Sequence, residues 1–269
     1  MQKEFNQALT PDDASPTFAA AQELFEHHLK LDYHPVAIKF FASLEEMKRY
    51  PAEKEPTAKL TFCQFTAASR MANLLLHGTP DQIMCDNCLT TFGCREPSEQ
   101  EAEGHFKYVV DHDFARDVLD TKPRAPLGLI KGFLTAPLAK TPLDPDVVLF
   151  ICNPFQAYHI LNDYVGACHA HPLQFYHTVN SAVCGGAVWT YLNQKPEMNT
   201  MCAGSYTSGK TEKGEVNVFI PGSRILDVAR QLARRSNISG GASLLYGNNE
   251  WPGLDVCKKC PMVRFSDPK

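Results

Sequence analysis

The chain has 269 residues, 44% of them apolar and 21% charged, the balance of a soluble globular protein long enough for one large domain or two of ordinary size. Its formal net charge of −4 and pI near 6.2, with no block of basic residues, argue against nucleic acid or an anionic membrane surface as partner. The first seven residues lack the apolar core of a signal peptide, and the longest apolar runs, such as Val147–Cys152, are too short to cross a bilayer, so the expectation is a cytoplasmic protein whose ten cysteines stay reduced.

Residues 1–33 read as a polar arm and a helix over 17–30, with Phe18, Ala21, Leu24, Phe25 and Leu29 at helical spacing. A first α/β half over 34–121 is expected to open with a strand at 34–41 and a short helix capped by Ser43. It continues with a strand at 60–63 ending in Cys63, a helix at 64–76, a strand at 82–85 ending in Cys85, a polar loop at 98–104, a strand at 106–110 and a helix at 113–120. A connection over 122–146 contains five prolines and one short strand or hairpin near Leu129 to Leu134.

From residue 147 the same order of elements begins again: strand, helix, a segment ending in Cys184, helix, a strand ending at Cys202, polar loop, strand, helix. The second half therefore spans 147–236, and 237–269 is a tail carrying Cys257-Lys258-Lys259-Cys260-Pro261. The fold expected is α/β, with α+β as the neighbouring class: two pseudo-repeated halves, each a small mixed sheet carrying helices, with cysteines at strand ends.

Under that matching Cys63 corresponds to Cys184 and Cys85 to Cys202, so thiols arrive in symmetric pairs facing a central cleft. Four thiolates suit a 4Fe–4S cluster or a structural zinc. Cys88, Cys94, Cys257 and Cys260 form a second set of four, and Cys152 and Cys168 stand outside both. Another grouping joins Cys85, Cys88 and Cys94 to one cysteine of the tail and leaves Cys63, Cys184 and Cys202 as core thiols or as partners of an open metal. Arg70 and Arg95, near these thiols in sequence, are candidates to bind the cofactor by offsetting its negative charge, against the plainer reading of surface arginines. His169 and His171, with His159 and His177 nearby, are candidate ligands or proton donors, or a histidine-rich surface loop. A nucleophile-elbow Gly-x-Ser-x-Gly is absent, which removes the sequence basis for a serine hydrolase.

His34-Pro35-Val36-Ala37-Ile38-Lys39, Cys63, Cys85 with Phe92-Gly93, Val147-Val148-Leu149-Phe150 leading to Asn153-Pro154-Phe155-Gln156-Ala157, Cys184, and Cys202-Ala203-Gly204-Ser205 with Val218-Phe219-Ile220-Pro221 form a recognisable set. On these residues the chain resembles the domain of unknown function 169 family of bacteria and archaea, many of them anaerobes, over roughly residues 34–236. The resemblance implies that Cys63, Cys85, Cys184 and Cys202 are the shared quartet, with Cys88, Cys94, Cys257 and Cys260 as additions in this member.

The function expected from the sequence is an iron–sulfur redox protein of anaerobic metabolism with one or two 4Fe–4S clusters, acting in electron transfer or as a reductase on a small molecule. Its partners would be that small molecule or a redox partner protein, with no nucleic acid and no membrane, and an oligomer is compatible with the sequence. The alternative is a zinc-stapled protein that binds a small ligand or serves as a scaffold. A third reading makes Cys85 and Cys88 a metal-free redox pair.

Overall fold

The computed structural model describes residues 16–238 except 171 and 177–179. Six strands are present among them: β1 (Val36–Phe41), β2 (Leu76–Gly78), β3 (Gly132–Pro137), β4 (Val147–Cys152), β5 (Glu197–Thr200) and β6 (Val216–Pro221). Strands β1, β4 and β6 are rich in β-branched and aromatic residues and are buried on both faces along most of their length, which is why they read as largely apolar runs. All six join one antiparallel sheet in the order β2-β3-β1-β4-β6-β5.

Two separate mixed sheets were expected, and the difference lies at the centre. There β1 and β4 pair with each other, Val36 opposite Leu149, Ala37 opposite Val148 and Ile38 opposite Val147, so one sheet runs through both halves. The flanking pairs share a register. Val36 faces Pro137 and Val147 faces Pro221, while Leu76 faces Thr135 and Glu197 faces Phe219.

Side-chain alternation then separates two layers. Ala37, Val148, Phe150, Val218 and Ile220 point to the face covered by helices α1 (Phe18–Leu29), α7 (Pro154–Cys168) and α10 (Ile225–Ile238). Val36, Ile38, Phe40, Leu149 and Phe219 point to the other face, covered by α3 (Phe62–Ala72), α4 (Asp86–Thr91) and α8 (Ala182–Asn193). On that second face the rings of Phe62, Phe65 and Phe92 meet Phe133 with centroids 5.1, 5.0 and 5.7 Å away, a cluster that anchors α3 and α4 to the sheet. The remaining helices are α2 (Leu44–Met47), α5 (Glu99–Val109), α6 (His112–Asp120) and α9 (Ala203–Thr207).

Several expected strands are helices instead. Residues 60–63 contribute one bridge, Leu60 to Ile83, and then enter α3, because Thr61 and Gln64 form a reciprocal capping box that starts the helix there. The expected loop at 98–104 and strand at 106–110 merge into α5, which the Ser98–Glu101 capping box opens in the same way. Residues 82–85 close a short 3-10 turn, leaving Cys85 as the N-cap of α4. The thiols expected at strand ends are therefore at helix starts. No helix among the described residues is long and apolar enough to cross a membrane.

Glu197, the first residue of β5, holds the stretch that precedes α8. Its carboxylate accepts the Tyr176 backbone N–H at 2.9 and 3.1 Å, and the Tyr176 hydroxyl donates to the Thr121 carbonyl at 2.5 Å. Glu197 is 1% exposed, and burial pushes its carboxyl up to about 7 against the Tyr176 and Met198 N–H groups that draw it down. The folded value lies above the ordinary 4.5, so the folded chain holds the extra proton and stability falls as pH rises through that window. Between pH of about 5 and about 8 the wild type is expected to lose on the order of 3 kcal/mol more than Glu197→Gln, measured by denaturant unfolding at each pH.

Candidate functional site

Four short-range decisions of the backbone bring the thiols together. The Thr61 hydroxyl accepts the Gln64 N–H at 3.2 Å, and the Gln64 side-chain oxygen accepts the Thr61 N–H at 2.8 Å, which sets Cys63 in the first turn of α3. Cys184 lies in the first turn of α8, whose N-cap Ser181 takes a left-handed conformation with φ of 64°. Cys85 and Cys202 are themselves the N-caps of α4 and α9. The start of α3 is tied across to α9 by the Thr61 hydroxyl, which donates to Ser208 at 3.1 Å.

These helix starts enclose a cavity of about 90 Å³ lined by Cys63, Cys85, Cys88, Cys184 and Cys202. The rest of its wall is Thr, Ser, Asn, Ala, Val and Gly, so among the described residues no histidine and no carboxylate faces it. Such a donor set is soft throughout, the kind that selects zinc, copper(I) or iron–sulfur clusters over hard cations. No group of three or more His, Cys, Asp or Glu among the described residues is arranged as a ready single-ion site. Ser181 also lines the cavity, and its buried hydroxyl helps to draw the Cys184 thiol down.

The thiols are unequal. Burial, and then the charges of Cys202, Cys184 and Cys85, push the Cys63 thiol well up. Cys85 is drawn down to about 6, first by a hydrogen bond from Cys88 and further by the backbone N–H groups of Cys88 and Asn87 and the charge of Lys122. Cys184 is drawn down chiefly by Cys88, and Cys88 is raised by its bonds to those two sulfurs and by burial. Lys122 is 5% exposed and donates to the Asn87 side-chain oxygen at 2.8 Å. Burial pulls its ammonium down, while Cys184, Glu101, Cys85 and Cys88 pull it up.

Of the residues singled out from sequence, Cys63, Cys85, Cys184 and Cys202 are brought to one cavity from both halves of the chain. Cys88 joins them instead of Cys94, which is half-buried beside the same core but does not line the cavity. Cys257 and Cys260 lie outside the described residues. Cys152 and Cys168 belong to the opposite face of the sheet.

Arg70 and Arg95 do not line the cavity. Arg70, 1% exposed, binds Glu215 at 3.2 Å and the Lys210 carbonyl at 3.3 Å, with its guanidinium 4.7 Å from the centre of the Tyr33 ring. Arg95 pairs with Asp86 at 3.0 Å and Glu101 at 3.2 Å, bracing α4 against α5. His159 is bound to Arg235 at 2.9 Å on the opposite face, His169 caps α7, and His171 and His177 lie outside the described residues. Lys122 was not singled out from sequence, because a lysine in a proline-rich connection looks like any solvated one. Only the fold brings it beside Asn87.

The chain belongs to the domain of unknown function 169 family, described as an uncharacterised ArCR family, whose match covers residues 24–231. No curated protein matches the chain, and no solved structure does.

Proposed function

We propose that this member of the domain of unknown function 169 family is an iron–sulfur redox protein of an anaerobic cytoplasm, in which Cys63, Cys85, Cys184 and Cys202 hold one 4Fe–4S cluster. The observation that carries the reading is the convergence of thiols from both halves on one small cavity walled by no histidine or carboxylate among the described residues. A single zinc gathers four sulfurs about 2.3 Å from one point. A cubane cluster instead binds one thiolate at each of its irons, so its ligands are spread around a larger body. Thiols that reach one cavity from four separate helix starts are placed to surround such a body.

The surroundings fit an anionic guest. Lys122 supplies a buried positive charge, and Asn87 fixes where that ammonium points. The Ser181 hydroxyl, beside Cys184, is a further donor on the wall. Phe62, Val183 and the other apolar residues of this face keep water from the thiols. When bound, the cluster would supply one-electron transfer, to a partner protein or to a small molecule. With Cys88 in the cavity, Cys94, Cys257 and Cys260 are too few for a second four-thiolate site, so one cluster per chain is the proposal.

Zinc is the second reading, because Cys85 and Cys88 both reach the cavity at knuckle spacing. Protein purified without oxygen is expected to carry about four irons and about four acid-labile sulfides per chain, with visible thiolate-to-iron absorbance. A colourless chain with one zinc would establish the alternative, no metal would leave only thiol chemistry, and eight irons would restore a second cluster. Lys122→Gln is expected to keep the iron and to lower the midpoint potential by roughly 60 mV, about a tenfold change for a one-electron couple, because a buried cation favours the more negative reduced state. Protein-film voltammetry of the two chains reads that shift.

A further inference from the structure

Five thiols face the cavity and a cubane cluster takes four, so one of the five has a different task. Comparison of the two short helices identifies it. Cys88 is the third residue of α4, behind its N-cap Cys85, and Ser205 is the third residue of α9, behind its N-cap Cys202. The backbones match: the Cys88 N–H donates to the Cys85 carbonyl at 3.0 Å, and the Ser205 N–H donates to the Cys202 carbonyl at 3.0 Å. The next residues repeat the match, with Leu89 bonded to Cys85 at 3.1 Å and Tyr206 to Cys202 at 3.2 Å. Cys88 and Ser205 therefore occupy one structural position in two copies.

Their neighbours match as well. Cys88 lines the cavity beside Cys85, the N-cap of its own helix, and Cys184, in the first turn of α8, and it draws the pKa of both thiols down. The Ser205 hydroxyl oxygen stands 3.4 Å from the sulfur of Cys202, the N-cap of its own helix, and 4.0 Å from that of Cys63, in the first turn of α3. Each side chain stands with one cysteine at the head of a short helix and one at the head of a long helix. Both are buried, Cys88 at 2% exposure and Ser205 at 0%.

Resting on the cluster reading above, we infer that Cys88 is not a ligand but a positioning residue: Cys88 and Ser205 are paired hydrogen-bond donors, each holding two sulfurs of the quartet Cys63, Cys85, Cys184 and Cys202. The position is filled by a thiol in one copy and a hydroxyl in the other, and what the two groups share is a proton to donate. A ligating thiolate has no proton and can only accept, so the O–H of Ser205 must point toward sulfur, and the S–H of Cys88 by the same geometry. Each has one proton for two acceptors, so donation to one sulfur is at the expense of the other. Donors of this kind fix ligand orientation, and by drawing charge from sulfur they raise the reduction potential.

The test compares Cys88→Ser, Cys88→Ala and Ser205→Ala with the wild type and with Cys85→Ser, all purified without oxygen. Cys88→Ser should keep the wild-type iron and sulfide content and a potential close to wild type, since a hydroxyl replaces the donor as in the other half. Cys88→Ala and Ser205→Ala should keep the iron and shift the midpoint to more negative potential, whereas Cys85→Ser should lose iron. Loss of iron from Cys88→Ser to the extent seen for Cys85→Ser would make Cys88 a ligand and overturn the inference, as would unchanged potentials in both alanine variants. If an alanine variant does not fold, the iron content of Cys88→Ser decides.

A wild-type chain without iron would sink the cluster reading and still leave the donors open to measurement. In the metal-free chain, the infrared difference spectrum between wild type and Cys88→Ser isolates the Cys88 S–H stretch. A band moved to lower frequency by hydrogen bonding supports the donor role, and an unshifted band removes it.

Discussion

The pairing of β1 with β4 is the contact on which the rest of the molecule depends. Each half contributes three strands, and three strands with one covered face make only a small core. Joining them through Ala37 opposite Val148 turns two such sets into a six-stranded sheet wide enough to be covered on both faces. It also settles where the thiols go. Because β1 and β4 are adjacent and antiparallel, α3 and α8 pack on the same face of the sheet, and their first turns, carrying Cys63 and Cys184, meet at one cavity.

Within that cavity the governing effect is burial. A thiol removed from water resists ionisation, and several close together resist it more, since each charge formed raises the cost of the next. Cys63, fully inside and facing Cys202, Cys184 and Cys85, shows this pressure most plainly. Relief comes from one side. The Cys88 thiol and Lys122 act on both Cys85 and Cys184, and the N–H groups at the start of α4 act on Cys85, while a charge on Cys85 opposes one on Cys184, so the metal-free site is biased toward a thiolate at Cys85. A soft cation or cluster entering there would meet one ionised ligand and would have to displace protons from the others, which links its affinity to pH.

That Cys63, Cys85, Cys184 and Cys202 belong together is suggested in the sequence by two readings, the matching of cysteine positions between the halves and the family resemblance, and the four line one cavity. The helix starts were misread because a short apolar run before a helix looks like a strand until its capping residues are weighed. Thr61 with Gln64, and Ser98 with Glu101, are capping boxes that fix those starts. Cys88 falls with Cys94 in the sequence reading because both are left over once the quartet is set aside. The fold separates them: α4 ends at Phe92, and Gly93, at φ of 66°, turns the backbone tightly against the carbonyls of Ala125 and Pro126. Cys88 thus stays on the cavity side with Cys85 while Cys94 is carried off.

Lys122 marks the limit of such reading, and it also helps to explain why halves with matching strand registers host an unsymmetrical site. The strand registers of the halves agree, and so do the backbones of α4 and α9. The long connection between β2 and β3 has no counterpart of its size between β5 and β6, and it contains α5, α6 and Lys122. A charge in that insertion reaches only the side of Cys85, Cys88 and Cys184. The opposite side, Cys63 with Cys202 and Ser205, is left with neutral donors. The frame therefore determines how many thiols meet, and the Cys88 thiol, the N–H groups at the start of α4 and Lys122 together determine which of them is charged first. The first property follows from backbone pairing and survives most side-chain changes, whereas the second rests on side chains, first the Cys88 thiol and then the ammonium of Lys122 held by Asn87.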